Sequence, residues 1–437
     1  MSYIHCTAAN PAPPLPVISP LHACIASPAG SPCSRSSVWG VATLRLFAMG
    51  RRKTPPTAVA NGVTEDVAAA AVAEAEGKAA AVAAVAASAA ERRRLWFAAA
   101  KPPMYTVAVT PMLVGTAAAY AATGLYSSSR LGTLLAAAVA IIGWLNITND
   151  VFDAATGIDA HKAESLVNLL GGTPAVRRRL LVAATALLAA AAAGLASLCV
   201  TPGGAAFDPT LLVVMGIAVA LGYAYQGPPF RLGYYGLGEP ITLAAWTLAV
   251  GAAYYTQLPP PAAPATAAGG WVLPPAAIAA RLSALATAYV TPSAGLGVPA
   301  VLVALPTALI LLCSHLHQGA DDAAAGKRSP VVRFGTRGVA AGVIAGVAGM
   351  YALQVGAAAT ALWGKGGRGW LPPTAAASAV VSVPLAVRLV VFVGRWHAVP
   401  AVIRPAKYVA VRLHAVHGLA LAAGLAASRS PYWTPQY

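Results

Sequence analysis

From residue 104 to residue 427 the chain alternates long apolar runs with short polar breaks. Nine runs stand out, at 104–123, 131–148, 180–199, 211–225, 240–256, 296–314, 339–362, 375–393 and 408–427. A helix needs about 17–25 apolar residues to cross the hydrocarbon core of a bilayer. Most of the runs meet that length, and the fourth and fifth are short for it. Ala and Gly recur in all of them, which suits helices that pack closely where no water drives them together. The pattern predicts an all-α, polytopic membrane protein, a bundle of about nine transmembrane helices.

The breaks between runs carry the positive charge, and they carry it unevenly. With nine crossings, one face receives Arg92–Arg94, Lys101, Lys162, Arg177–Arg179, Arg231, Lys327, Arg328, Arg333, Arg337, Arg395, Arg404 and Lys407. The other receives Arg130, Arg281, Lys365, Arg368 and Arg429. Such a bias sets topology, and dropping one run would scramble it. The formal charge of +16 is therefore a topological signal and gives no reason to expect a nucleic-acid partner. A chain with 58% apolar and 10% charged residues and a mean hydropathy of +0.67 belongs in the lipid bilayer. The five cysteines, Cys6, Cys24, Cys33, Cys199 and Cys313, form no disulfide framework and no CxxC metal motif.

The first 64 residues lack acidic side chains and carry Arg35, Arg45, Arg51, Arg52 and Lys53 among Ser, Thr, Ala and Pro. That composition predicts an organelle transit peptide, on Ser and Pro content a plastid one, for a chloroplast membrane protein. Residues 65–94 form an Ala-rich, low-complexity linker, and 95–437 is the expected membrane domain.

Eight Asp or Glu residues follow Glu91, and six of them fall in two short stretches that each directly follow an apolar run. The first runs from Asn149 and Asp150 through Asp153, Gly157 and Asp159 to Lys162 and Glu164. The second runs from Asp321 and Asp322 through Gly326 and Lys327 to Arg328 and Ser329. A charged group near the centre of a membrane helix costs about 2.5–3.5 kcal/mol and less at its ends, so carboxylates kept there have a cation or a polar cavity to serve. Both stretches open on the basic face. Asp150 and Asp153 are three apart and share one side of a helix, while Gly157 lets the chain turn and bring Asp159 back. One or two carboxylates, with water and substrate phosphate completing the shell, are how Mg²⁺ is held. Lys162, Lys327, Arg328 and Arg333 stand ready for the remaining charge of a diphosphate. A Mg²⁺-bound diphosphate above a greasy cavity implies a prenyl tail among the helices and chemistry by stabilisation of a leaving pyrophosphate.

These residues resemble the UbiA superfamily of intramembrane prenyltransferases over about residues 92–427. Asn149-Asp150-x-x-Asp153-x-x-x-Gly157-x-Asp159 is similar to the family's first Asp-rich motif in its 1,4-dihydroxy-2-naphthoate branch, and Asp322 to Thr336 is similar to the second. Tyr225 to Glu239 resembles the loop between the fourth and fifth helices, and Lys101-Pro102-Pro103 fits the approach to the first. The segments His161 to Gly172 and His315 to Gln318 resemble the plastid members that serve phylloquinone synthesis. The resemblance implies transfer of a phytyl or longer prenyl group from its diphosphate to 1,4-dihydroxy-2-naphthoate, with loss of the carboxylate. It implies Asp150, Asp153, Asp159, Asp321 and Asp322 as Mg²⁺ ligands, with Asp150, Asp153, Asp322 and Lys327 in catalysis. Asn149, Lys162, Asn168, Lys101, Tyr225, Arg231, His317, Gln318, Arg328 and Arg333 are implied to bind substrate. Gln318 departs from the pattern, standing where bacterial relatives carry an Asp, so either Gln318 or Asp321 completes the second metal site. Homogentisate and chlorophyllide are the alternative acceptors, and the Asn-x-Pro segment that normally follows the first motif in those branches is absent.

Other readings of single residues stay open. Glu239 opens a helix after Gly238, where a carboxylate meets the positive end of the dipole, so it is either a cap or a working group. Tyr225, Tyr234 and Tyr235 fit an interfacial belt as well as a cavity wall. His315 and His317 diverge on a helix and suit polar lining better than a metal. An ion-coupled transporter is the competing class, and it would hold its carboxylates at mid-helix.

Overall fold

The structure, a computed structural model, describes residues 88–157, 162–201, 206–259, 271–292, 295–363 and 369–429. The expected leader, residues 65–87 of the Ala-rich linker and Asp159 lie outside the described residues. What is described is helical, apart from isolated bridges that join Val200, Phe207 and Val272. A helix over 88–100 and a short 3-10 turn at Pro102–Tyr105 lead into α1 (Thr106–Thr123). Then follow α2 (Ser128–Thr156), α3 (Pro174–Leu198), α4 (Thr210–Gln226), α5 (Gly238–Gln257) and α6 (Pro275–Val290). The remaining long helices are α7 (Gly297–His315), α8 (Pro330–Trp363, broken at Gly335), α9 (Val383–Trp396) and α10 (Ala406–Ala427).

Local chemistry places the helix ends. Ser127 caps α2, accepting from the Arg130 N–H, and Gly157 ends it in the left-handed conformation at φ 79°. Thr173 caps α3 with Pro174 as its first residue. Side chains then tie neighbouring ends together. Arg429, just past α10, donates to the carbonyls of Ala121 and Ala122 at 2.9 Å each, and Gln257 at the end of α5 accepts from Ser127 N–H at 2.8 Å. The ends of α1, α5 and α10 and the start of α2 therefore meet at one end of the bundle. The starts of α1, α5, α8 and α10 and the ends of α2, α4 and α7 lie at the other.

The helices α1, α5, α7 and α10 pack on one another at the centre, with α2 and α3 paired beside α1, α4 against α5, and α8 and α9 outside α7 and α10. Small residues permit this. A Cβ on Gly115 of α1 would sit 2.3 Å from the Val250 carbonyl oxygen of α5, and one on Gly418 of α10 would sit 1.9 Å from a methyl of Thr110. Dispersion between closely approached backbones is what holds such contacts in lipid.

Each of the nine apolar runs coincides with helical structure to within one residue at an end. Seven described helices are long and apolar enough to cross a membrane, fewer than the nine runs, and two further apolar helices are short. The protein is thus an all-α polytopic membrane protein. One of the short helices, α6, was not anticipated, because Arg281 interrupts its apolar pattern. In the fold Arg281 is paired with Asp208, which also accepts from the Thr210 N–H and hydroxyl and from Tyr255. With Arg130, Cys199 and Tyr255 the pair lines a pocket of about 280 Å³ at the end away from the aspartate motifs.

Gly115→Val is expected to destabilise the detergent-solubilised protein by about 1–3 kcal/mol or more, because the obstacle is backbone and cannot repack. Gly132→Ala, whose Cβ meets nothing within 4 Å, should leave the melting temperature near wild type in the same assay.

Candidate active site

The first motif is helical, because α2 runs on past the apolar stretch to Thr156. Asp150 and Asp153 therefore occupy its last two turns, and Asn146 and Asn149 the turn before. Lys101 approaches from the start of the bundle. The prolines that follow it bar an ordinary helical conformation, and it adopts φ 51° and ψ 47°. Its ammonium then reaches Asp150 Oδ1 at 2.6 Å, while Asp150 Oδ2 accepts the Leu166 N–H at 3.1 Å. Asp150 is only 2% exposed, so both oxygens needed a partner and both have one. Asp153, one turn on, accepts from the side-chain amide of Gln226 at the end of α4.

The loop after α4 joins the two motifs. Tyr225 packs over Gly233 and Gly238, where any Cβ would come within 2.8 Å of its ring. Tyr234 donates to the Thr156 hydroxyl at 2.9 Å, and the Arg231 guanidinium lies 6.0 Å from its ring centre. Burial raises the Tyr234 pKa, the Thr156 hydrogen bond opposes this, and the charges of Asp153 and Asp322 add to the rise. One phenol thus lies within the electrostatic reach of both aspartate motifs. On its far side the loop is bonded to the second motif: Arg328 N–H donates to the Tyr234 carbonyl at 2.7 Å, and the Arg333 side chain donates to the Tyr235 carbonyl.

The second motif leaves α7 at His315 and makes a short helix at Gly319–Ala324, capped at Gln318. Asp322 is buried at 1% exposure, and Asp321 beside it faces outward. The chain reverses at Gly326, φ 71°, and brings the Lys327 ammonium to 3.2 Å from Asp322 Oδ1. The other oxygen, Oδ2, is buried with no hydrogen-bond partner among the described residues. His315 contacts Glu239 at 3.1 Å, so the two groups left open by sequence meet each other across α7 and α5. At His317, burial and the nearby charges of Lys407 and Arg404 lower the imidazole pKa to about 4, which keeps it neutral at physiological pH.

Beneath this mouth opens a cavity of about 560 Å³. Lys101, Asn146, Asn149, Lys162, Tyr225 and Lys407 stand among its polar lining, and Val107, Ile142, Leu145, Trp246 and Ile310 among its apolar wall. A narrower apolar cleft adjoins it between α1, α2, α4 and α5, sharing Val107, Ile142 and Trp246. Of the residues expected from sequence, Lys101, Asn149, Lys162 and Tyr225 line the cavity. Asp150, Asp153, Asp322 and Lys327 are not among its lining residues, and Asp150 adjoins it through Lys101. Asn168 donates to the Lys162 carbonyl at 3.0 Å and so supports the loop. Arg328 is exposed and contributes its backbone N–H, and the Arg333 side chain is committed to a carbonyl. Asn146 and Lys407 are among the lining residues that the sequence reading did not assign to the site. Asn146 lies one turn before Asp150 on the same helix face and was legible by that spacing. Lys407 carried no signal beyond its charge.

The donor set suits Mg²⁺ held jointly with a diphosphate. Among the described residues no three His, Cys, Asp or Glu side chains form a ready-made cage, and a cation bound by one or two carboxylates plus phosphate oxygens needs none. The buried, unbonded Oδ2 of Asp322 is a hard oxygen awaiting a donor or a cation.

Helices folded so that two carboxylate motifs, each with its lysine, stand beside one apolar cavity define an intramembrane enzyme of the prenyltransferase type, and residues 108–408 match the UbiA prenyltransferase family. The chain belongs to that family. It is 40% identical over 331 residues to the 2-carboxy-1,4-naphthoquinone phytyltransferase of Synechocystis sp., covering 76% of this chain and 92% of that protein. It is 35% identical over 341 residues to the chloroplastic 2-carboxy-1,4-naphthoquinone phytyltransferase of Arabidopsis thaliana, covering 77% and 78%. Among solved structures, a UbiA homologue from Aeropyrum pernix K1 aligns with a TM-score of 0.49 at 12% identity, covering 72% of this chain and 96% of that one.

Gly236 sits at φ 72°, and a Cβ there would lie 2.5 Å from the Arg328 carbonyl oxygen. Gly236→Ala should part the loop from the second motif. The expected readout is faster proteolytic cleavage within 227–238 and a fall in turnover of tenfold or more, with the helical circular-dichroism signal unchanged.

Proposed function

We propose that this protein transfers a phytyl group from its diphosphate to 1,4-dihydroxy-2-naphthoate, with loss of the carboxylate as carbon dioxide, in phylloquinone synthesis. The observation that carries the reading is the Tyr234 bridge between the two motifs, its hydroxyl on Thr156 and its carbonyl on the Arg328 N–H, beside a cavity with a largely apolar wall. That arrangement suits a substrate with a multiply charged head and a hydrocarbon tail. The 40% identity to a named naphthoquinone phytyltransferase supports the choice of acceptor and of tail.

Asp150, Asp153 and Asp322 would hold Mg²⁺, with Asp159 and either Asp321 or Gln318 as further candidates. When bound, the cation supplies charge neutralisation at the leaving diphosphate. Lys101 and Lys327 stand against Asp150 and Asp322 and are placed to donate to diphosphate oxygens. Lys162 and Asn149 line the cavity beside them. As the C–O bond of the donor breaks, its electron pair leaves with pyrophosphate. The electron-rich ring carbon then forms the new C–C bond and sheds its carboxylate. Apolar walls exclude water from the allylic cation, and fixed ammonium groups stabilise the departing charge without reorganising.

The expected site of action is a chloroplast membrane, supported by the acid-free, Ser- and Pro-containing first 64 residues and by the chloroplastic relative. Residues 1–64 fused to a fluorescent protein should enter plastids, and cytosolic fluorescence would contradict that placement.

Membranes containing the protein, given phytyl diphosphate, 1,4-dihydroxy-2-naphthoate and Mg²⁺, should release pyrophosphate and form a phytylated naphthoquinol. A chelator should stop both, and renewed Mg²⁺ should restore them. Asp150→Ala and Asp153→Ala should each lower turnover at least a hundredfold while the protein still inserts. Full activity in either variant, or equal use of homogentisate, would count against this assignment.

A further inference from the structure

Lys407 is a cavity-lining cation that the pairs at the mouth leave over. Lys101 is held by Asp150, Lys327 by Asp322 and Arg94 by Glu91. Lys407 lines the same 560 Å³ cavity from the first turn of α10, and it makes no hydrogen bond or ion pair with any described residue. Its ammonium lies 5.2 Å from the centre of the adjoining Tyr408 ring. Charged groups that act on it include the cations Lys162, Arg404 and Lys101 and the carboxylate of Glu164. A partly buried ammonium among like charges is held at a free-energy cost unless an anion joins it. Its position at the start of α10 adds the positive end of that helix dipole.

The surroundings describe the anion. Phe97, Pro102, Tyr408 and Val411 also line this cavity, an apolar and partly aromatic set of side chains. A flat aromatic ring bearing one carboxylate matches those side chains and Lys407, and a diphosphate is better matched by the paired lysines and aspartates of the mouth. Building on the function proposed above, we propose that Lys407 receives the carboxylate of the aromatic acceptor and holds its ring against the apolar lining of the cavity. Lys407 is thereby a residue of acceptor specificity. Once the carboxylate has left, the product has no anion for Lys407, which favours its release into the bilayer.

The test compares binding of 1-hydroxy-2-naphthoate with that of 1-naphthol, air-stable probes that differ by the carboxylate, to the full-length protein in detergent. The wild type should prefer the carboxylate probe tenfold or more, the lower range for a hydrogen bond between charged groups. Lys407→Met and Lys407→Gln should bring the ratio close to one, and Lys407→Arg should retain most of it. Either neutral variant suffices if the other fails to remain monodisperse. A wild type without the preference, or neutral variants that keep it, would overturn the proposal. Turnover with phytyl diphosphate separates the two ideas. A wild type that discriminates between the probes yet forms no phytylated product would sink the transferase reading and leave the role of Lys407 standing. In active protein, Lys407→Gln should raise the acceptor KM about tenfold with the donor KM unchanged; an equal rise in both would place Lys407 at the diphosphate instead.

Discussion

Carboxylates buried at the end of a membrane bundle must be neutralised, and that requirement organises this protein. Asp150 is held between the Lys101 ammonium and the Leu166 N–H, and Asp322 is held by Lys327. Removing one partner of such a buried pair leaves an uncompensated charge, which is costlier than the pair is favourable. The loops that present Lys101 and Lys327 are therefore obliged to adopt unusual backbones, a left-handed Lys101 before two prolines and a reversal at Gly326. The same charges that stabilise the fold are those a diphosphate and its metal would engage, so the resting pairs keep the site assembled.

The loop between α4 and α5 makes two motifs into one site. Tyr234 donates to Thr156 at the end of the first motif and accepts through its carbonyl from Arg328 in the second. Gly233, Gly236 and Gly238 are small where Tyr225 and the Arg328 backbone approach. The glycines are thus explained by contact, and Arg333 by the carbonyl it serves. Residues that a motif groups as substrate ligands divide here into those that face the cavity and those that hold the loop.

Position along the helix separates an enzyme from an ion-coupled carrier. Asp150 and Asp153 lie on the last turns of α2, and Asp322 follows the end of α7. A head group can be met there from the aqueous side while the tail lies in the apolar cavity below. The polar cluster of Asp208, Arg281 and Tyr255 lies at the opposite end and closes on itself, tying α6 to the start of α4 and the end of α5.

By itself the sequence determined the membrane class, the helical stretches, the family, and the gathering of both aspartate motifs on one face. The membrane class, the helical stretches and the common face follow from local hydropathy and from charge in the breaks, and the family from the resemblance of its motifs. Asn146 was equally legible, since it precedes Asp150 by one turn. Only the tertiary structure decided which cations serve which carboxylates, because Lys101 and Asp150 are far apart in the chain and nothing local pairs them. It also revealed α6, whose Arg281 breaks an apolar pattern until Asp208 neutralises it. And it turned Lys407 from one topological charge among many into a wall of the cavity, since a side chain's role depends on what the other helices place beside it.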